Sequence, residues 1–153
     1  MPTINELQLA KELIRFPTVK TEDKGIMKFL SKKLTAIGFK CTIIKSKGTG
    51  TNPALNLYAR YGKSKPHIMY LGHTDVVANL DNWKFPPFKA VISKGYLNGR
   101  GAQDMKGGVA CWISAVSNFI KNNKFKGSIS IIISADEETT GYGCPAVMKY
   151  LRK

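Results

Sequence analysis

Acidic residues are scarce in this chain of 153 residues. Ten Asp and Glu stand against 24 Lys and Arg, giving a net charge of +14. Cysteine is scarcer still, at Cys41, Cys111 and Cys144. An odd number with no C-x-x-C pair excludes a disulfide framework or a zinc ribbon. Small buried thiols in a reducing compartment are the expectation. Apolar runs such as Ile129-Ser130-Ile131-Ile132-Ile133 are strand-length, far short of the ~20 residues that span a bilayer. The opening Met1-Pro2-Thr3-Ile4-Asn5-Glu6 lacks the charged, apolar and small-residue order of a signal peptide, which points to the cytoplasm. There is no internal repeat and no linker. With 43% hydrophobic residues and a mean hydropathy of −0.17, the chain reads as one folded domain with a real core.

The excess of positive charge is compatible with an anionic partner, but the lysines are scattered rather than interleaved with aromatics. The densest group, Lys121, Lys124 and Lys126, follows a helix. A solvated surface is the first reading, an anionic small molecule the next, and nucleic acid the last. A non-catalytic basic binding module is the alternative of another class; it would need no metal and would bind with a steep salt dependence.

Periodicity gives the elements. Residues 4–15 carry apolar positions at helical spacing that Pro17 ends. A second helix is expected from Thr21-Glu22-Asp23 to Ile37, with Gly38 as its C-cap. Strands follow at 39–44 and 54–61, separated by a Gly-, Ser- and Thr-rich loop at 46–53. The mostly apolar strand 67–71 is expected to be buried on both faces. A long connection at 78–90 carries Trp83, Phe85 and Phe88, read as packing residues, with a substrate cleft as the alternative. A hairpin spans 91–97 and a helix 105–122, apolar almost all round and therefore buried. Residues 128–135 are the strongest strand, and a last helix starts near Gly143 or Pro145. Strands interleaved with helices imply an α/β fold in layers, a mixed central sheet flanked by helices. In such sheets, sites lie beyond the carboxyl ends of strands.

Half of the scarce acids, Asp75, Asp104, Asp136, Glu137 and Glu138, fall in three short segments. These are Gly72-His73-Thr74-Asp75, Gly99-Arg100-Gly101-Ala102-Gln103-Asp104 and Asp136-Glu137-Glu138. Gathered carboxylates call for a cation, and with a histidine present zinc or a similar divalent metal is the natural candidate. Asp75 lies at i+2 from His73, on the same side of an extended segment, where it can accept the second imidazole N–H. Asp104 reads either as a helix N-cap or as a carboxylate able to bridge two metals. Glu137 and Glu138 read either as solvated loop acids or as a metal ligand beside a proton acceptor. A metal brings the pKa of its water to about 7, so this arrangement suits metal-assisted hydrolysis.

Gly72 to Val77, Trp83 with Pro87-Phe88, Gly99 to Ala102 with Asp104-Met105-Lys106-Gly107-Gly108, and Asp136-Glu137-Glu138 resemble the dizinc amidohydrolase and aminopeptidase superfamily. Within it the Gly-Arg-Gly-Ala-x-Asp-Met-Lys-Gly-Gly run and the opening Leu13 to Val19 are most similar to the succinyl-diaminopimelate desuccinylase family. Acetylornithine deacetylase-like deacylases and metallopeptidases are the neighbouring alternatives. The resemblance covers essentially the whole chain. It implies a three-layer zinc-peptidase-like catalytic domain and two divalent metal ions, zinc with cobalt as a substitute. It implies His73 as ligand of one metal, Asp104 as the bridge and Glu138 as ligand of the other. It further implies Glu137 as general base, Asp75 as the residue that orients His73, and a cis peptide after Asp104. The implied reaction is removal of the succinyl group from N-succinyl-LL-2,6-diaminopimelate in diaminopimelate and lysine synthesis. The implied partners are an anionic small-molecule substrate and, through a lid domain, a second copy; no nucleic acid and no membrane are expected. Such enzymes use a further carboxylate and a further histidine downstream, and His67 stands at the wrong end of its strand to serve. Residues 1–153 are therefore expected to be the N-terminal part of the catalytic domain, incomplete at its C-terminus, without the lid and inactive alone.

Overall fold

The computed structural model describes residues 2–48, 53–78 and 81–152. The middle of the 46–53 loop, part of the 78–90 connection and the chain end at Lys153 lie outside the described residues. The elements run α1 (Glu6–Ile14), α2 (Ile26–Ala36), β1 (Lys40–Ser46), β2 (Ala54–Gly62), β3 (His67–His73), β4 (Val91–Ser93), β5 (Tyr96–Asn98), α3 (Gly107–Asn122), β6 (Ser128–Ser134) and α4 (Gly143–Leu151). Four strands form one mixed sheet in the order β1-β2-β6-β3. The β1–β2 and β2–β6 pairs are antiparallel and the β3–β6 pair is parallel. β4 and β5 form a separate hairpin.

Alternation along β6 decides the layering, because successive side chains face opposite sides of the sheet. Ile129, Ile131 and Ile133 join Leu57 and Ala59 of β2 in one apolar cluster with Leu9, Leu13, Met27, Leu30, Leu34, Val109 and Ile113 of α1, α2 and α3. Ser128, Ser130 and Ser134 face the other way, toward the side on which α4 packs against β1, β2 and β6. Hydroxyls buried there are matched: Arg60 donates to Ser128, while Tyr58 and His67 each hydrogen-bond Ser130. The mixed sheet flanked by helices is the architecture expected from the sequence.

Several details differ. α2 starts at Ile26, not at Thr21, because Gly25 sits at φ +89, outside helical space. Asp23 instead folds the preceding turn, accepting from Gly25 N at 2.8 Å and Met27 N at 3.1 Å. β3 is not buried on both faces: among the described residues it is an edge strand, with Ile68 58%, Met69 48% and Leu71 50% exposed. The apolar content marks a strand; it does not tell which faces are covered. The cysteines are not buried either, since Cys111 is exposed and Cys41 and Cys144 are half-buried. Nor is α3 buried all round, as Phe119 is 42% exposed.

Gly62 ends β2 at φ +70, and a Cβ there would collide with the carbonyl oxygen of Gly127. Gly25 has a similarly positive φ but open space around it. Gly25→Ala is expected to cost about 1–2 kcal/mol, the penalty of a left-handed residue with a side chain. Gly62→Ala should cost at least ~1 kcal/mol more, because backbone must move. Urea midpoints at constant m-value are the measurement; equal losses would mean that the strand end absorbs the collision.

Candidate metal centre

Two neighbouring strand ends carry the site. β3 and β6 run parallel with His73 level with Ser134, so the segments after them emerge side by side. His73 is 4% exposed. Its Nδ1–H donates to the Asp75 carbonyl at 3.2 Å and lies 3.5 Å from Asp75 Oδ1. A carbonyl oxygen only accepts, so the proton sits on Nδ1 and the free lone pair of the neutral ring is on Nε2. Nε2 lies 3.1 Å from Asp104 Oδ1 and 3.7 Å from Glu137 Oε2.

Asp75 is 1% exposed and also holds the other strand end. Its Oδ2 accepts from the Glu138 backbone N–H at 2.9 Å, and its buried Oδ1 has no hydrogen-bond partner closer than the histidine ring. The Thr74–Val76 stretch is clamped from the N-terminal turn. Thr18 Oγ1 donates to the Thr74 carbonyl, Val76 N donates to the Thr18 carbonyl, and Val19 bridges Val76.

Asp104 reaches the same place by an irregular helical turn, Ala102–Lys106, whose regularity breaks at Asp104 (φ −121, ψ 103) and Met105 (φ −132, ψ 27). The Asp104–Met105 peptide is cis, as the resemblance implied. Asp104 is not an N-cap: α3 begins three residues later, and its cap position, Lys106, makes no side-chain capping bond. The carboxylate points out instead, 72% exposed beside His73. Lys106 is fully buried and donates from Nζ to the Phe16 carbonyl at 2.7 Å, tying this turn to the N-terminal one. Burial brings its pKa down to about 7 against the opposing attraction of Asp75. The sequence signal for it was a lysine directly before two glycines and an apolar helix; nothing in that pattern marks it as buried.

Asp136 belongs to the loop, not to the cluster. Its Oδ1 accepts from Gly143 N at 2.8 Å and Ser134 Oγ at 3.2 Å, and its Oδ2 from Thr140 Oγ1 at 2.6 Å and Tyr142 N at 3.0 Å. It shapes the 137–143 loop and starts α4, which fixes where Glu137 and Glu138 emerge.

His73, Asp104 and Glu138 each present one ligand atom within 4.8 Å of the others. The electrostatics fit a cation. Burial pulls the His73 imidazole down, but the hydrogen bond and charge of Asp75, the hydrogen bond of Asp104 and the charge of Glu137 together raise it to about 9. Glu138 is pushed up by burial first, then by Asp104, Glu137 and Asp75, with His73 opposing. A lone pair and two carboxylates gathered within 4.8 Å, with Glu137 beside the ring, favour a proton or a metal there. Hollows flank the cluster. One of about 470 Å³ is lined by Asp104, Glu138, Arg100, Trp83 and Asn98. The other, of about 340 Å³, touches His73, Glu137 and Cys144. Trp83 is thus a cavity wall rather than only a packing residue, with the Arg100 guanidinium carbon 4.7 Å from its ring centroid. The sequence signal at Arg100 is its position between two glycines. His67 lies at the far end of β3 against Ser130.

Residues 69–153 match Peptidase family M20/M25/M40. The whole chain is 50% identical to a protein from Pelagibacter ubique (strain HTCC1062) named succinyl-diaminopimelate desuccinylase, covering 41% of that protein. A protein of the same name from Ehrlichia chaffeensis (strain ATCC CRL-10679 / Arkansas) is 42% identical over 97% of this chain and 39% of its own. The chain thus spans about 40% of the length of the curated relatives it matches. Among solved structures, human carnosine dipeptidase 1 superimposes with a TM-score of 0.81 at 23% identity, over 95% of this chain and 34% of that one. An M20 family metallo-carboxypeptidase from Sulfolobus solfataricus gives 0.75 at 25%, over 88% and 31%.

Two outcomes are expected. Asp136→Ala leaves two backbone N–H groups and two hydroxyls without their acceptor and should cost about 2–4 kcal/mol. Faster hydrogen exchange at Tyr142 and Gly143 is the local readout; unchanged exchange would show that the loop holds itself. For His73, a folded pKa near 9 against an ordinary 6.5 means that the metal-free fold binds an extra proton between these values. The stabilisation is complete below about pH 6.5 and is lost as the pH rises through 9. An NMR titration of the ring protons should show that midpoint, lowered in Asp75→Asn. A midpoint indifferent to Asp75→Asn would take Asp75 out of this role.

Proposed function

The chain belongs to peptidase family M20/M25/M40, and from that premise we propose that the whole protein is a metal-dependent amidohydrolase of diaminopimelate and lysine synthesis. Its reaction is hydrolysis of N-succinyl-LL-2,6-diaminopimelate to succinate and LL-2,6-diaminopimelate. The observation that carries the substrate is 50% identity, across all of this chain, to a protein of that name.

His73 Nε2, Asp104 and Glu138 would hold the metal, zinc first and cobalt as the substitute; the donor set of one imidazole and two carboxylates suits either ion. The remaining ligands of a two-metal centre, and the lid through which two copies pair, would come from the part of the relatives' length beyond this match. Bound there, the metal supplies Lewis acidity and brings a water's pKa to about 7.

The chain's own residues supply the rest. Asp75 keeps a proton on His73 Nδ1, so that the neutral ring presents its lone pair on Nε2. Glu137, 61% exposed and 3.7 Å from Nε2, is close to the donors without being tied down by them. In this reading its Oε2 takes a proton from the attacking water and returns it to the amide nitrogen as the C–N bond breaks. The acyl carbon leaves as succinate and the nitrogen as the free amine, with one water consumed. The cytoplasm suits such a biosynthetic reaction, and among the described residues no helix is long and apolar enough to cross a membrane.

Ligand and base roles separate in one experiment on the whole protein. His73→Ala, Asp104→Ala and Glu138→Ala should each lower the bound metal measured by elemental analysis. Glu137→Gln should retain metal and lose about 10²–10⁴-fold in kcat. Metal loss in Glu137→Gln would exchange the roles of the two glutamates. Full metal in all three ligand variants would sink the assignment.

A further inference from the structure

We propose that Arg100 recognises a substrate carboxylate, one carried away from the scissile amide; the inference rests on the amidohydrolase reading and adds the residue that reads the substrate's charge. The 470 Å³ hollow is polarised. Asp104 and Glu138 form one part of its wall, and Arg100 is the cationic residue in its lining. Asn98 and Gln103 are its neutral polar members. A volume of this size is that of a small-molecule site. A ligand whose amide sits at the metal donors therefore extends within reach of one guanidinium.

The position of that guanidinium is built. Arg100 N donates to the Pro87 carbonyl at 2.7 Å, and Ala102 N to the Gly99 carbonyl at 3.1 Å. A Cβ on Gly99 would press on Ile14, and one on Gly101, at φ +79, would press on Val76. The glycines thus let the backbone lie against α1 and the Val76 stretch, and Arg100 is the residue between them that carries a side chain. Its guanidinium carbon lies over the Trp83 ring, 4.7 Å from the centroid. Contact with the ring narrows the conformations open to the side chain, and a planar guanidinium carries its N–H donors in the fork by which a carboxylate is bound through two parallel hydrogen bonds. A lysine, a point charge on a flexible stem, would reproduce the charge but not the fork.

The proposed substrate carries carboxylates on both its acyl arm and its amine arm. The shared chemistry is the carboxylate, and two probes distinguish the arms: succinate and 2,6-diaminopimelate. Binding of each to the metal-loaded whole protein is measured by titration calorimetry for wild type, Arg100→Gln and Arg100→Lys, with metal content as the check on folding. One probe should lose roughly 10–100-fold in affinity in Arg100→Gln, the range of charged hydrogen bonds, and less in Arg100→Lys. The other should stay within about twofold. The probe that responds names the arm. No binding of either probe to wild type, no response of either, or equal loss of both would overturn the proposal, the last because it indicates a role in site shape alone. If Arg100→Gln fails to hold metal, Arg100→Lys decides on the same criterion, a loss for one probe of at least threefold. Arg100-dependent binding without hydrolysis of the succinylated amide would remove the proposed activity and keep this inference. Hydrolysis without Arg100-dependent binding would do the reverse.

Discussion

The buried carboxylate of Asp75 is the constraint on which the site depends. One oxygen lies beside the His73 ring and the other accepts the Glu138 backbone N–H. It thereby joins the end of β3 to the end of β6 at the point where two donors must face each other. An aspartate that is 1% exposed is costly unless it is matched by donors. Here they come from the two segments whose relative position matters. Most of the surrounding polar structure serves to hold Asp75 in place. Thr18 fixes its neighbours on both sides, and Lys106 adds a favourable charge while locking the Phe16 carbonyl. A single side-chain deletion at Asp75 would therefore loosen a ligand, a loop and a tautomer together.

Asp136 does for the second loop what Asp75 does for the first, by a different route. Asp75 couples two strands; Asp136 folds the chain back on itself, gathering donors from residues 134 to 143. Three consecutive acids, Asp136-Glu137-Glu138, thus have three environments. Asp136 is fully buried and used for structure, Glu137 is mostly exposed, and Glu138 is half-buried. Strand alternation does not generate this, because the strand has already ended. The split arises because one carboxylate turns back into the fold and the next two are carried outward by the loop it creates.

That split also explains what was legible in the sequence. The elements were, because the i, i+3, i+4 spacing of α2 and the alternation along β2 and β6 follow directly from which side chains meet the core. The convergence of His73, Asp104 and Glu138 was legible because scarce acids were concentrated beyond strand ends. The separate role of Asp136 was not, since its partners are backbone amides, which no residue type announces. The start of α2 was misread because Thr21-Glu22-Asp23 is a good opening for a helix, and only the left-handed Gly25 moves that opening downstream. β3 was misread because apolar composition reports what a strand could bury; its exposed Ile68, Met69 and Leu71 depend on which neighbours are present. Arg100 was not legible as a site residue because its place between two glycines says nothing of a ligand until Trp83 and the hollow are seen around it.

The distribution of charge links the site to the surface. Five of the ten acids and one of the 24 bases, Arg100, lie in the site segments, so the rest of the chain sets five acids against 23 bases. Without a metal, the field at the mouth is divided: a basic exterior attracts anions while the exposed Asp104 and Glu137 repel them. A divalent cation held by these donors would offset the local negative charge, and the basic exterior and Arg100 would then favour the same sign of ligand. Arg100 lines the same hollow as Asp104 and Glu138. Surface lysines can raise the rate at which an anion arrives, but they are screened by salt within about 10 Å at ordinary ionic strength. A guanidinium held against a ring inside the hollow is less exposed to that screening. On the proposed division of labour the scattered lysines would govern encounter, whereas one arginine in the hollow would govern which anion is retained.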